Sequence, residues 1–211
     1  MIVKICGVKT FEIALHALEA GAEMLGFNFY SPSPRYIRPD KCAEIIARLK
    51  SQDVNFTAVG VFVNENPQKI QEIMGTCQLD LAQLAGDETP QDMAVLDSRA
   101  FKAVRPRSLQ EAAAQIRSLA RPAAPALLVD AHVKGAYGGT GETGDWSLAR
   151  FTAEQVPILL AGGLNPENVA ESVRVVRPWG VDVASGVESS PGIKDPDKIS
   201  AFIAASKLSV S

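Results

Sequence analysis

Hydrophobic positions along the chain fall into two alternating patterns. Short runs rich in β-branched residues suit strands, and the stretches between them, with apolar residues three and four apart, suit amphipathic helices. The first run is Ile2–Cys6. The pattern after it puts Phe11, Ala14, Leu15 and Leu18 on one helix face, with Gly21 as the stop. A second run, Met24–Phe29, leads through a loop containing SPSPRYIRP into a helix with Cys42, Ile45, Ile46 and Leu49 inward. The third, Phe56–Val63, precedes Asn66-Pro67, which reads as a helix cap followed by the first helical residue. Ile70, Ile73 and Met74 form that helix's apolar face.

The second half repeats the scheme. Leu79–Leu84 is followed by a Thr89-Pro90 cap, and Phe101–Val104 by Ser108 and Glu111 at capping-box spacing. Ala126–Val129 ends in Asp130, before the glycine-rich GAYGGTGETGDW and a short helix after Trp146. Pro157–Ala161 ends in Gly162-Gly163, and Asn165-Pro166 is expected to cap a helix carrying Val169, Val173 and Val176. Val181–Ala184 ends in Ser185-Gly186, and Asp195-Pro196 caps a last helix with Ile199, Phe202 and Ile203 inward.

Eight such units in 211 residues, roughly 26 residues each, are close to the minimum for a (β/α)8 barrel. Helices between successive strands require a parallel sheet. A doubly wound sheet is the alternative, disfavoured because the turn after the first run is CGVKT rather than a glycine-rich dinucleotide loop. The expectation is one α/β domain, a (β/α)8 TIM barrel over residues 1–211. No Ser/Gly-rich linker divides the chain.

Composition narrows the function classes. With 46% hydrophobic and 21% charged residues the chain reads as an ordinary soluble protein able to bury its own core. No apolar run nears the roughly 18 residues of a membrane span, and MIVKICGVKT lacks the features of a secretory signal. A net charge of −3 excludes a broad basic footprint for nucleic acid but not a small anionic ligand. Cys6, Cys42 and Cys77 form no CxxC pair, so neither a disulfide framework nor a zinc site is expected. A reducing, cytoplasmic setting is the default expectation.

In a barrel the strands' C-terminal ends build the active site. Gly162-Gly163 and Ser185-Gly186 fall at the last two such ends, where backbone N–H groups and a helix N-terminus can close on a phosphate. Cys6 ends the first strand, where a thiol serves as a base if its pKa, about 8.5 when unperturbed, is lowered. As a residue among apolar neighbours it is equally a small hydrophobe. Asp130 closes an apolar run, and partial desolvation would suit it to general acid work; a salt-bridge partner is the competing reading. Arg35 lies in the proline-bracketed loop, able to clamp a carboxylate bidentately or to stand solvated. Lys4 and Lys102 are strand lysines away from the C-terminal ends, which argues against a Schiff base; Lys4 shares parity with Cys6 and can point inward. His132 reads as a solvated loop residue, and His16 falls on the first helix.

Taken together, VKICG, GFNFYSPSPRYI, VGVFVN, GGTG, LAGGLNPENV and GVDVASGVESSPGIKD resemble the phosphoribosylanthranilate isomerase family over nearly the whole chain. The resemblance implies a (β/α)8 barrel and a cofactor-free, metal-free Amadori rearrangement in tryptophan biosynthesis. It also implies a phosphorylated small-molecule substrate and a monomer or homodimer. It implies Cys6 as general base, Asp130 as general acid, Arg35 at the anthranilate carboxylate, Asp182 near the sugar, and Gly162, Gly163, Ser185 and Gly186 at the phosphate. The chain departs from the family pattern at Ala85, where a histidine is common, and at Glu142 and Gly144 in the glycine-rich segment. A barrel performing the same rearrangement on the aminoaldose of histidine biosynthesis would carry an aspartate at the Cys6 position and a second phosphate motif after the fourth strand. A barrel that binds phosphate without turnover is the alternative of a different class.

Overall fold

The structure is a computed structural model, describing residues 1–131 and 146–208. The strands and helices are β1 (Ile2–Cys6), α1 (Phe11–Glu19), β2 (Met24–Asn28), α2 (Pro39–Lys50), β3 (Thr57–Phe62), α3 (Pro67–Cys77), β4 (Leu81–Leu84), α4 (Pro90–Val95), β5 (Ala100–Val104), α5 (Leu109–Leu119), β6 (Leu127–Asp130), α6 (Ser147–Ala153), β7 (Ile158–Ala161), α7 (Val169–Val176), β8 (Gly180–Val183), β9 (Glu188–Ser190), β10 (Ile193–Lys194) and α8 (Pro196–Leu208). Strands β1 to β8 pair in chain order, and β8 closes on β1 with Val3 opposite Val181. All these pairs are parallel, as the alternation of strand and helix requires.

The register places alternate residues on two layers of core. Met24, Val59, Phe101, Leu128 and Leu159 fill the barrel interior, while the larger cluster, including Ile5, Leu25, Phe62 and Val181, lies between strands and helices. Both faces of every strand are therefore covered, which explains why the strand runs read as continuously apolar. The helix faces are those set by the spacing of apolar residues: Ile70, Ile73 and Met74 are buried on α3, and Ile199, Phe202 and Ile203 on α8.

Most caps form as the sequence suggests. The Asn66 side chain accepts from the Gln68 and Lys69 N–H groups, and that of Asp195 from Asp197 and Lys198. Two expectations need correction. The Ser108 hydroxyl accepts from Glu111 N–H, but Glu111 turns to the Arg107 N–H, so only half of that capping box exists. Asn165 does not begin α7: its side chain accepts from Glu167 and Asn168 N–H, closing a turn, and the helix starts at Val169. The polar segment after β8, which carries no alternating apolar signal, folds into the small antiparallel hairpin β9–β10. Among the described residues no helix is long and apolar enough to cross a membrane.

Candidate active site

The C-terminal strand ends open into a pocket of about 890 Å³. Cys6, Arg35, Asp130, Gly162, Gly163, Asp182 and Ser185 all line it, from four different strand ends and the loop after β2. Cys6 on β1 and Asp130 on β6 belong to strands that are not neighbours, so they face a ligand from different sides. Gly186 is the exception. It supports the wall rather than lining it, since a Cβ there would collide with the Leu164 carbonyl in the loop after β7. The loops after β7 and β8 thus meet at Gly186.

Gly162 and Gly163 have φ of 103° and 68°, a backbone region that other residues enter with strain. Two such residues in succession turn the chain over the end of β7 and leave no side chain between backbone and ligand. The turn after β8 is one 3-10 turn, Ser185–Val187. α7 starts six residues after Gly163 and α8 eleven after Ser185, so the helix N-terminus expected at these loops is that of the 3-10 turn Ser185–Val187 rather than of either α-helix. The glycine-rich segment after β6, with His132, Glu142 and Gly144, lies outside the described residues.

Beneath Cys6 the barrel interior holds charge. Lys4 is fully buried; its Nζ donates to Asp182 Oδ1 at 2.7 Å and to Gln83 Oε1 at 2.9 Å. Gly26, opposite Cys6 on β2, leaves room for this: a Cβ there would sit 2.8 Å from Cys6 Sγ and 3.1 Å from Lys4 Nζ. Burial pulls the Lys4 ammonium toward its neutral form, but Asp182 and Cys6 outweigh it and the pKa is raised. Burial pushes the Cys6 thiol up, against the opposing pull of Lys4 and Lys194. This departs from the expectation of a lowered thiol pKa, and the reason is desolvation. Lys102 points the other way: its ammonium is paired with Glu88 at 2.9 Å and bound to the Gly86 carbonyl, bracing the loop after β4.

Asp130 and Arg35 are both engaged in ion pairs. Asp130 Oδ2 accepts from Arg105 Nη2 at 2.6 Å and Nε at 2.7 Å. Arg35 donates through Nε and Nη2 to both oxygens of Glu188. Burial pushes the Glu188 carboxyl up, but the bonds from Arg35 and Lys194 outweigh it and hold it below the usual range. Arg105, Glu188 and Lys194 were not legible as site residues from sequence: each is a charged residue in a loop or short strand whose partner is remote or lies in an unsignalled hairpin. Ala85, where the resemblance would place a histidine, lines the pocket. Among the described residues no cluster of His, Cys, Asp and Glu has the makings of a metal site.

Comparison with known proteins adds an independent line. Residues 3–205 match the family described as N-(5′-phosphoribosyl)anthranilate (PRA) isomerase. The N-(5′-phosphoribosyl)anthranilate isomerase of Trichlorobacter lovleyi is 47% identical over 206 residues, covering 97% of each chain. That of Roseiflexus sp. is 46% identical over 210 residues, again covering 97% of each. The crystal structure of phosphoribosyl anthranilate isomerase from Thermotoga maritima superposes with a TM-score of 0.85 at 39% identity, covering 99% of this chain and 100% of that one. A further crystal structure of such an isomerase, in complex with reduced 1-(o-carboxyphenylamino)-1-deoxyribulose 5-phosphate, gives a TM-score of 0.82 at 36% identity over 99% of this chain and 100% of that one.

Proposed function

The chain belongs to the phosphoribosylanthranilate isomerase family of tryptophan biosynthesis, and we propose that its pocket divides the family's reaction between Cys6 as general base and Asp130 as general acid. The substrate, N-(5′-phosphoribosyl)anthranilate, is an aminoaldose with an anion at each end. Its rearrangement needs a proton delivered to the furanose oxygen, which opens the ring to an iminium. It then needs a proton taken from C2′, which gives an enolamine that becomes the ketone. One acid and one base must therefore address neighbouring atoms of one sugar from different sides. The observation that carries this assignment is the placement of Cys6 and Asp130 on non-adjacent strands of one pocket. Each transfer is worth about 10²–10⁴-fold, and holding the sugar between two anchored ends contributes a further entropic part.

In this reading the phosphate lies over Gly162, Gly163 and Ser185, bound by backbone N–H groups rather than by lysines. The anthranilate carboxylate lies at Arg35, and Asp182, held by Lys4, faces the sugar. Cys6 receives the C2′ proton as the thiolate, which Lys4 and Lys194 favour against burial. Asp130 parts from Arg105, takes up a proton from solvent and carries it to the ring oxygen, and the side of that pair facing solvent leaves Arg105 room to swing away. The compartment consistent with three buried thiols is the cytoplasm. The test is turnover of N-(5′-phosphoribosyl)anthranilate by the purified protein, followed by the loss of substrate fluorescence. Binding of the substrate without turnover would leave a phosphate-binding barrel in place of an enzyme.

A further inference from the structure

Arg35 is held before any ligand arrives. Its Nε and Nη2 each donate at 2.8 Å, to Oε1 and Oε2 of Glu188 on β9. The Glu188 side chain is 4% exposed and that of Arg35 24%, so the carboxylate sits behind the guanidinium as seen from the pocket. Glu188 Oε1 accepts a second bond, 2.9 Å from Lys194 Nζ on β10, and Lys194 also donates to the Ala184 carbonyl at 2.8 Å. Lys198 Nζ fixes the Glu188 carbonyl at 2.9 Å. Two consequences follow. A guanidinium offers five N–H groups along two usable edges, and here the Nε–Nη2 edge is taken. Among the described residues no hydrogen bond reaches Nη1. Two cations, Arg35 and Lys194, thus share the one Glu188 carboxylate. Arg35 with Glu188 alone would be a neutral pair; Lys194 balances the carboxylate and leaves one net positive charge at the pocket wall.

We propose that Glu188 is a positioning residue for Arg35, gripping one edge of the guanidinium so that the Nη1–Nη2 edge, with the charge that Lys194 leaves over, meets the substrate's carboxylate. The inference rests on the reading that Arg35 takes that carboxylate. It adds a built-in ruler: Glu188 follows the 3-10 turn Ser185–Val187 directly, so the segment that sets Arg35 also carries Ser185 at the phosphate end. The spacing between the two anionic grips is fixed by one short piece of chain.

The experiment measures binding of two ligands by calorimetry: the reduced carboxyphenylamino-deoxyribulose 5-phosphate, and the same compound without the carboxylate. Glu188→Gln keeps the shape but loses one of the two bonds accepted from Arg35 and the charge that orients the fork. It should weaken the carboxylate-bearing ligand roughly tenfold or more, the worth of a charged hydrogen bond, and leave the other within about twofold. In turnover the loss should appear in KM with kcat largely kept. A merely structural role would weaken both ligands alike and overturn the proposal. So would tighter binding of the carboxylate-bearing ligand, which would make Glu188 a competitor for Arg35. Arg35→Lys is run beside it. If that change weakens both ligands equally, the reading of Arg35 itself fails; if it discriminates while Glu188→Gln does not, only the positioning role fails. Should Glu188→Gln not fold, Lys194→Met decides. That ammonium is buried and bound to Glu188 and Ala184, so its loss should again weaken only the carboxylate-bearing ligand, and an unselective effect would refute the proposal.

Discussion

On the β1–β8 side of the pocket, Lys4 lies fully buried between Asp182 and Gln83, directly under Cys6. On the β5–β6 side, Arg105 reaches Asp130 from solvent, its side chain 77% exposed and that of Asp130 18%. Both are ion pairs of about the same length, yet their physics differs. A pair inside the barrel works in a medium of low effective dielectric, with partners fixed by strand register, and its disruption leaves a stranded charge. A pair at the rim is screened by water and salt and holds its partner loosely. In the proposed division of labour the base is set in a rigid electrostatic frame, whereas the acid is attended by a cation that can move away. Removing a proton from carbon is the harder task, and the frame lies where that task is assigned.

The comparison is tested most severely at the two proposed proton carriers. Cys6→Ser and Asp130→Asn both preserve shape and remove the transferable proton or its acceptor. Each should lower kcat by about 10²-fold or more while the protein still folds and binds the reduced product analogue. Steady-state kinetics with calorimetry decides. If Asp130→Asn raises only KM, the aspartate is a binding residue and the acid lies elsewhere.

The next effect separates the two ion pairs by stability. Lys4→Met strands the Asp182 carboxylate in the barrel and should cost about 3–5 kcal/mol of unfolding free energy in a urea titration. The double change Lys4→Met with Asp182→Leu should recover much of that loss, because a hydrophobic pair of similar volume replaces the charges. A single-variant loss under about 1 kcal/mol would place this pair in the same class as the exposed one.

A smaller effect reads the frame through pH. Burial raises the Cys6 thiol above its ordinary range, and the base is the deprotonated form. kcat/KM, which reports the ligand-free enzyme, should therefore climb as pH rises through neutrality and level off only above the ordinary thiol value of about 8.5. Alkylation of Cys6 by iodoacetamide should follow the same limb. Lys4 opposes the effect of burial, so Lys4→Met should move the limb further upward. A limb at or below the ordinary value would show that the cations outweigh desolvation.

The barrel was legible in the sequence because its signals are local. Runs such as Phe56–Val63 and helix faces such as Ile70, Ile73 and Met74 carry their period within a dozen residues. The strand ends followed, and with them Cys6, Asp130, Asp182 and the glycines after β7. The parity of Lys4 with Cys6 was visible too, but its partners were not: Gln83 is 79 residues away and Asp182 178, and only barrel closure brings them together. Glu188 stayed hidden for a different reason. It lies in a polar stretch with no period, so neither its hairpin nor its hold on Arg35 leaves a local trace. The late start of α7 shows the limit of cap signals, since Asn165 makes the bonds of a cap inside a turn that precedes the helix.

The smallest expected effect belongs to Arg105. Its bonds to Asp130, at 2.6 and 2.7 Å, are among the shortest ion-pair contacts in the described structure, and length alone would rank the pair with Lys4–Asp182. Exposure argues otherwise. Water competes for every donor of an arginine that is 77% exposed, and ordering so long a side chain offsets part of the attraction. Arg105→Ala should therefore change unfolding free energy by no more than about 1 kcal/mol, an effect that fades further as salt is raised. Since in the proposed mechanism Asp130 leaves Arg105 to reach the sugar, kcat should stay within about fivefold of the parent, the kinetic equivalent of the same ~1 kcal/mol. A loss of 10²-fold in kcat with stability unchanged would mean that Arg105 works on the substrate or orients the acid during the reaction. The loosely held side of the pocket would then be as tightly organised as the buried one.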